Sequence, residues 1–216
     1  MNLDNIFVNT QSSIRIDNKK VLYFDPWKIE KESKDADFIF ITHNHFDHFS
    51  PEDINKIIKD DTIIVCPESM KKTILDNKFT DESKILFLMP GIVKERNGIL
   101  IETVASYNKL KPFHPKKSGF LGYVVTIDGE RIYVPGDTDL TEELMNVNCN
   151  LAFLPIGGTY TMDVKEAAKA VRYIGADYII PIHYGSVENT AEPSVVNDFI
   201  EMVPTNAKVV CKLFVD

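Results

Sequence analysis

Cysteine and long apolar runs are scarce in this chain of 216 residues. Its three cysteines are an odd number with no pair at metal-ligand spacing, which argues against a disulfide framework and against a cysteine metal site. No apolar run approaches the ~18 residues that a membrane span needs. The N-terminal stretch MNLDNIFVNTQSS has no basic region followed by an apolar one, so we expect no secretory signal and a cytoplasmic protein.

Positive charge is also in deficit, because 24 Lys and Arg stand against 32 Asp and Glu, which gives a net charge of −8. An acidic chain binds the nucleic-acid backbone poorly, so we expect no nucleic-acid partner. The apolar content of 44% and the charged content of 26% are ordinary for a globular protein. The length suits one core, so we predict a single domain over residues 1–216. The sequence leaves the oligomeric state open, and a homo-oligomer is compatible with it.

Hydrophobic patterns and turn residues predict an α/β (α+β) protein with two sheets and helices outside them. Asp17-Asn18 and Asp128-Gly129 separate apolar runs and predict hairpins. Asp163 and Glu166 have the spacing of a capping box, and Gly175 suits the end of that helix. The predicted strands cover residues 12–17, 19–25, 36–43, 61–66, 84–88, 98–106, 120–127, 131–137, 150–156, 177–183 and 207–216. The predicted helices cover residues 50–60, 67–77, 141–146, 163–176 and 193–203.

Three of the five histidines fall within six residues, in the segment THNHFDHFS. An extended segment after a strand sends residues i and i+2 to the same side, so His43 and His45 can share one metal ion. The chain then turns into a helix, which brings Asp47 and His48 to a neighbouring position. Imidazole and carboxylate groups suit Zn²⁺, with Mn²⁺ and Fe as alternatives. The segment therefore predicts a site for two divalent ions side by side.

This HxHxDH pattern resembles the signature of the metallo-β-lactamase superfamily, and two later segments resemble further motifs of that superfamily. VPGDTD resembles the segment whose aspartate bridges both metals, which falls on Asp137. IIPIHYG resembles the last ligand motif, which falls on His183. The resemblance implies a four-layer αββα sandwich with a dinuclear metal site between the sheet edges.

One position departs from the superfamily pattern. The family usually places a single histidine ligand of the first metal between these motifs, just after a strand, and this chain has Asn108 there. The nearest histidine is His114, six residues later. Two alternatives follow: His114 reaches the first metal, which we favour, or that metal is held by fewer protein groups and water.

The segment Asp25-Pro26-Trp27 after an early strand, the short length and the PIGGTYTMD loop resemble one branch of the superfamily. That branch contains ascorbate-6-phosphate lactonase-like metal-dependent hydrolases. Secreted β-lactamases usually carry a cysteine where this chain has Asp137, which argues against antibiotic hydrolysis. The implied reaction is attack on a carbonyl or phosphoryl centre by a metal-activated bridging hydroxide. In it Asp47, besides its contact with metal, would orient the water and take its proton.

The substrate is expected to be a small molecule, and one basic segment indicates that it is anionic. NKLKPFHPKK places four lysines around His114 with no acid between them, a local reversal of the acidic balance. These are Lys109, Lys111, Lys116 and Lys117. The side chains that we predict to contact substrate are Trp27, Asn108, Lys116 and Tyr160.

Two questions on function stay open from the sequence. Ester or lactone hydrolysis and phosphodiester hydrolysis are equally compatible with the motifs. The alternative to an enzyme is a non-catalytic or degenerate metal-binding or regulatory member of the same fold, which the unusual Asn108 keeps open.

Overall fold

The computed structural model describes residues 2–213, which form two mixed β-sheets and five α-helices. The first sheet contains Ile6–Thr10 (β1), Ser13–Asp17 (β2), Val21–Phe24 (β3), Ala36–Phe40 (β4), Ile58–Pro67 (β5) and Ile85–Leu88 (β6). The second contains Val93–Arg96 (β7), Ile99–Ala105 (β8), Leu121–Ile127 (β9), Glu130–Val134 (β10), Leu151–Pro155 (β11), Tyr178–Ile182 (β12) and Lys208–Val209 (β13). The helices are Pro51–Ile57 (α1), Lys71–Asn77 (α2), Glu142–Met145 (α3), Val164–Ile174 (α4) and Val195–Met202 (α5). Short 3₁₀ turns cover Glu68–Met70, Glu82–Lys84 and Lys116–Ser118.

Alternation along the strands divides the apolar side chains between two cores. On β4, Phe38 and Phe40 point into the larger core, which both sheets share and which continues beneath α4 and α5. Ile39 on β4 and Ile41 just after it alternate with these phenylalanines and point into a smaller core beneath α1 and α2. The layers are therefore helices, sheet, sheet, helices, and the predicted αββα sandwich is confirmed.

Several local predictions are confirmed by the backbone. Asp17-Asn18 joins β2 to β3 and Asp128-Gly129 joins β9 to β10, both as antiparallel hairpins. Asp163 and Glu166 form the capping box of α4. Gly175 ends that helix with φ +64°, in the left-handed region that glycine adopts without strain.

Other boundaries differ from prediction because strand pairing overrides the local pattern. The helix predicted for residues 50–60 ends at Ile57, since Ile58 is recruited opposite Ala36 on β4 and begins β5. The helix predicted for residues 67–77 starts with a 3₁₀ turn and becomes α-helical only at Lys71. Strands β1 and β7 were not predicted. Of the strand predicted for residues 207–216, Lys208–Val209 is a strand, while residues 214–216 lie outside the described residues.

The strand order explains where functional side chains gather. Strands β3 to β6 are mutually parallel, and so are β10 to β13. The carboxyl ends of parallel strands lie at one edge of a sheet, and the loops that follow them meet there. The two edges are joined, because the Leu121 amide at the start of β9 donates to the Thr42 carbonyl after β4 at 3.1 Å. No helix within residues 2–213 combines the length and the apolar character needed to cross a lipid bilayer.

Candidate metal centre

The five histidines and two aspartates predicted as metal ligands meet where these two sheet edges join. The loop after β4 brings His43, His45, Asp47 and His48, and the loop after β10 brings Asp137. The loop between β8 and β9 brings His114, and His183 follows β12 directly. All but the partly exposed His45 are buried, so the cluster is a specific constellation and not a solvated surface.

One group of nitrogens joins the first sheet edge to the β8–β9 loop. His43 Nε2 and His45 Nδ1 are 3.2 Å apart, and His114 Nε2 is 3.1 Å from the same His45 nitrogen. These atoms all lie within 4.8 Å of one another, close enough for one ion. The sequence left open whether His114 reaches the first metal. In the structure His114 is the third member of this group.

A second group lies beside the first. His48 Nε2 is 3.5 Å from Asp47 Oδ2, and His183 Nε2 is 3.6 Å from that oxygen. Asp137 stands between the groups: one carboxylate oxygen is 3.2 Å from His48 Nε2, and the other is 3.4 Å from His114 Nε2. A carboxylate in this position contacts both groups at once.

Neighbouring side chains fix which nitrogen of each imidazole faces the cluster. Asp25 Oδ2 accepts from His48 Nδ1 at 2.7 Å, which leaves Nε2 of that ring for the cluster. Thr42 Oγ1 lies 2.9 Å from His43 Nδ1 and has the same effect there. Such outer contacts orient metal-binding histidines and set their tautomers. The sequence analysis did not predict that Asp25 and Thr42 orient these histidines. The available signal was that Asp25 directly follows β3, which is parallel to β4, so both strands end at the same edge of the sheet.

Unpaired buried atoms test whether the residues fit a metal. His48 Nε2, Asp137 Oδ1 and both ring nitrogens of His183 are buried without a partner at hydrogen-bond geometry among residues 2–213, although the Nε2 atoms of His48 and His183 lie 3.2 Å and 3.0 Å from Asp137 oxygens. Buried polar atoms without a partner are costly, and native proteins nearly always satisfy them. Three of these four atoms point into the cluster, where divalent cations bound to imidazole and carboxylate would satisfy them. The donor set therefore fits a metal.

The charge balance of the cluster differs between its two sides. Burial lowers the pKa of His43 well below its usual value, and it lowers the pKa of His114 to about 4. These rings are neutral at pH 7, the form that binds metal. Burial opposes charge on His183 as well, but the Asp137 carboxylate beside it raises its pKa to about 9. The negative potential that retains a proton on His183 would equally attract a divalent cation.

Asn108 holds His114 in place instead of replacing it. Its amide Nδ2 donates to Asp139 Oδ1 at 3.0 Å and to the Tyr160 carbonyl at 2.9 Å. Two acceptors on the Nδ2 side fix the amide orientation, so Oδ1 faces His114 and accepts from its Nδ1 at 2.9 Å. This bond leaves His114 Nε2 as the free nitrogen. The Asn108 side chain is buried and bonded to His114, and its contact with substrate stays a prediction.

Asn108→Ala is expected to weaken divalent-metal binding by about 10- to 100-fold, as removal of an outer-shell partner typically does. The reason is that His114 would lose the acceptor that sets its tautomer. Competition with a chromogenic chelator measures the affinity. Asn77→Ala, which removes an exposed amide at the end of α2, is the matched control and should leave affinity unchanged. Equal affinity in both variants would show that Asn108 does not position His114.

A cavity of about 360 Å³ opens onto the cluster and is lined by a mixture of cluster residues and apolar side chains. Its lining consists of Asn44, His45, Phe46, Asp47, Phe113, His114, Asp137, Tyr160, His183 and Val187. Tyr160, predicted to contact substrate, is in this lining. Trp27 is not, but its ring packs edge-on against Phe46 with centroids 5.7 Å apart. Phe46 and Phe113 were missed by the sequence analysis, although Phe46 lies within the metal-binding motif itself.

The lysine-rich loop does not form a basic rim to this cavity. Lys116 Nζ binds Glu143 Oε1 at 2.6 Å and lines a separate cavity on the outer face of the second sheet. Lys111 Nζ binds Asp139 Oδ1 at 2.7 Å. Lys116 thus pairs with an acid that is distant in sequence and lies outside the lining of this cavity, and its contact with substrate stays a prediction. Among the described residues, no Lys or Arg lines the cavity at the cluster.

Two mixed sheets between helices, with a histidine–aspartate cluster where their edges join, define a metallohydrolase-type fold. A family model described as a β-lactamase superfamily domain matches residues 8–183. A UPF0173 metal-dependent hydrolase of Thermoplasma acidophilum is 33% identical over 186 residues, which are 79% of this chain and 78% of that protein. One of Methanoregula boonei is 32% identical over 183 residues, with 80% and 78% covered.

A solved structure of a metallo hydrolase from Ignicoccus hospitalis has the same fold, with a TM-score of 0.78. It is 21% identical to this chain and covers 98% of it, and this chain covers 95% of that one. The chain belongs to the metallo-β-lactamase superfamily, and its curated relatives carry the name metal-dependent hydrolase.

Proposed function

We propose that this protein is a dinuclear metal-dependent hydrolase that acts on a small ester, lactone or phosphodiester. The observation that carries the proposal is the pair of adjacent three-residue groups with Asp137 between them, at the floor of a cavity. His43, His45 and His114 would hold one ion, and Asp47, His48 and His183 the other. Zn²⁺ is the first candidate because imidazole nitrogen and carboxylate oxygen are its usual ligands, with Mn²⁺ and Fe as alternatives.

When bound, two such ions polarise a carbonyl or phosphoryl oxygen and lower the pKa of a bound water. The side chains supply what remains. Asp137 lies between the two groups, so its carboxylate fixes their spacing. Asp47 is 6% exposed and lines the cavity, so its carboxylate can orient a water and accept a proton from it. Phe46 and Phe113 flank the cluster and reduce the access of bulk water to it.

We still propose an anionic substrate, but we assign its recognition to the metal cluster and not to the lysine-rich loop. Lys111 and Lys116 are engaged by acids, so they add little attraction at the cavity. Two divalent ions against the two carboxylates of the cluster leave the floor with positive charge, which favours an anionic or oxyanion-forming group there. The anionic end of the substrate would therefore lie at the cluster.

We favour an enzyme over the non-catalytic alternative, which was kept open by Asn108 in a ligand position. The proposal assigns that ligand role to His114, and the distance of 3.1 Å between His114 Nε2 and His45 Nδ1 supports it. Asn108 contributes a hydrogen bond to that histidine instead.

Elemental analysis and a substrate panel test the proposal together. We expect close to two divalent ions per chain after dialysis against Zn²⁺ or Mn²⁺, and turnover of at least one of a panel of lactones, aryl esters and phosphodiesters. Removal of metal by a chelator should abolish turnover, and its return should restore it. At most one ion per chain with no turnover on any of these substrates would favour the non-catalytic alternative.

A further inference from the structure

Two aromatic pairs stand at the cavity, one from each sheet. Phe46, in the loop after β4, packs edge-on against Trp27 with ring centroids 5.7 Å apart. Phe113, in the loop between β8 and β9, packs edge-on against Tyr160 with centroids 4.7 Å apart. The two phenylalanines both line the cavity. Each sheet edge therefore contributes an aromatic wall beside the cluster.

These rings are exposed to a degree that folding does not explain. Phe46 is 66% exposed although it lies between the buried ligand Asp47 and the ligand His45, and Phe113 is 40% exposed next to the buried His114. An apolar ring left in water contributes little to the folded core, and large exposed apolar side chains grouped at a cleft mark a binding surface. Their partner rings hold them in fixed positions, which reduces the conformational entropy that binding would cost.

The charges of the cavity are confined to its floor. Apart from the Tyr160 phenol, the ionisable residues in its lining are His45, Asp47, His114, Asp137 and His183, all members of the cluster. The remaining lining consists of Phe46, Phe113, Tyr160, Val187 and Asn44. The cavity is thus polar and metal-binding at one end and aromatic along its walls, a shape that matches an amphiphilic small molecule.

The volume of the cavity limits the size of the apolar part of the substrate. An engineered cavity of ~150 Å³ binds one benzene molecule. The volume here is about 360 Å³, which accommodates a reacting carboxyl or phosphoryl group and roughly one ring. Flat rings gain most from such walls, since aromatic pairs are favourable in offset or edge-to-face contact.

We infer that the substrate carries a flat apolar substituent, such as a single aryl ring, beside its scissile group, and that Phe46 and Phe113 determine this specificity. The inference rests on the proposed function, because the reacting group is placed at the metal cluster. Trp27 and Tyr160 act as positioning residues that hold the two phenylalanine rings.

The test separates ring recognition from head-group recognition. Methylphosphonate and benzylphosphonate carry the same anionic head, and only the second carries a ring. Trp27 is the only tryptophan of the chain and contacts Phe46, so its fluorescence reports binding to the Zn²⁺-loaded protein. Isothermal titration calorimetry gives an independent dissociation constant for each phosphonate.

We expect benzylphosphonate to bind at least about tenfold more tightly than methylphosphonate, equivalent to ~1.4 kcal/mol. Phe46→Ala and Phe113→Ala should each reduce this ratio towards one, because each variant loses more affinity for benzylphosphonate than for methylphosphonate. Phe7→Ala is the matched control, because Phe7 is 49% exposed but lines a different groove, and it should keep the ratio.

The other outcomes are distinguishable. If both phosphonates bind with equal affinity, or if the ratio survives in both variants, the inference on the substituent is wrong and the metal site stands. If the chain retains no Zn²⁺ and neither phosphonate binds, the proposed function fails and the inference fails with it.

Discussion

Asp137→Asn is expected to lower kcat/KM by at least about 10³-fold and to reduce the bound divalent metal to at most one ion per chain. Asp137 is 3% exposed and lies between the two groups of ligands, with one oxygen 3.2 Å from His48 Nε2 in one group and the other 3.4 Å from His114 Nε2 in the other group. Asparagine has nearly the same shape but no charge. A bound divalent ion provides several kcal/mol of stabilisation to a reacting oxygen, and each ~1.4 kcal/mol is a factor of ten in rate.

Elemental analysis after dialysis and kinetics on an active substrate measure the two effects. Asp128→Asn is the matched control, because Asp128 lies in the turn between β9 and β10, where asparagine also tolerates the left-handed backbone. The circular dichroism of both metal-free variants checks that the fold is retained. If Asp137→Asn binds as much metal as Asp128→Asn and turns over at the same rate, Asp137 does not bridge the site.

The parts of the fold that depend on neighbours in sequence could be predicted from sequence. Asp128-Gly129 closes a hairpin and Asp163 caps α4 through bonds to residues three positions away or fewer, so the pattern carries the information. Part of the metal cluster could be predicted for the same reason, because four of its members lie within six residues of the sequence. The resemblance to a superfamily then supplied Asp137 and His183, which no local pattern would have connected to it.

Other elements depended on partners distant in sequence. Ile58 reads as the continuation of an amphipathic helix, and only its pairing with Ala36 makes it the start of β5. Strand β7 consists of mostly exposed polar residues and pairs with a single neighbour, so it has no apolar alternation to reveal it. The Asn97-Gly98 turn that follows was the available signal, since Asn-Gly is typical of hairpins.

In the lysine-rich loop, the ion-pair partners of the lysines could not be predicted from the sequence either. Four lysines without an acid among them form a basic run, yet Lys116 meets Glu143 and Lys111 meets Asp139, both from the segment after β10. The backbone of the loop also closes on itself, because the backbone N–H of Asn108 donates to the backbone carbonyl of His114 at 2.8 Å. A closure of this kind has no periodicity, which is why the sequence left the choice between Asn108 and His114 open.

Asp25→Ala is expected to lower the free energy of unfolding of the metal-free protein by about 3–5 kcal/mol, the usual cost of removing one partner from a buried charged pair. Asp25 is completely buried and accepts three hydrogen bonds. They come from the Thr42 amide at 2.8 Å, the Thr42 hydroxyl at 2.7 Å and His48 Nδ1 at 2.7 Å. Alanine would leave all three donors buried without an acceptor, and it would also strain a backbone with φ +44°.

Asp25→Asn separates these contributions, because asparagine tolerates that backbone and keeps one carbonyl oxygen. It can accept from Thr42 or from His48, but its NH₂ group meets donors where the second carboxylate oxygen stood. We therefore expect an intermediate loss of stability and metal affinity about 10- to 100-fold below that of the unsubstituted protein. Urea unfolding of the metal-free chain and chelator competition of the loaded chain measure the two quantities independently.

Asp61→Ala provides the baseline for an aspartate whose side chain is 81% exposed on β5. It should change the free energy of unfolding by less than about 0.5 kcal/mol, as exposed sites usually do. If Asp25→Ala matches this control in stability and in metal affinity, His48 is oriented by its packing alone. If only metal affinity falls, the bond to His48 sets the tautomer of that ring without supporting the core. The two measurements together thus divide the role of one buried carboxylate between folding and metal binding.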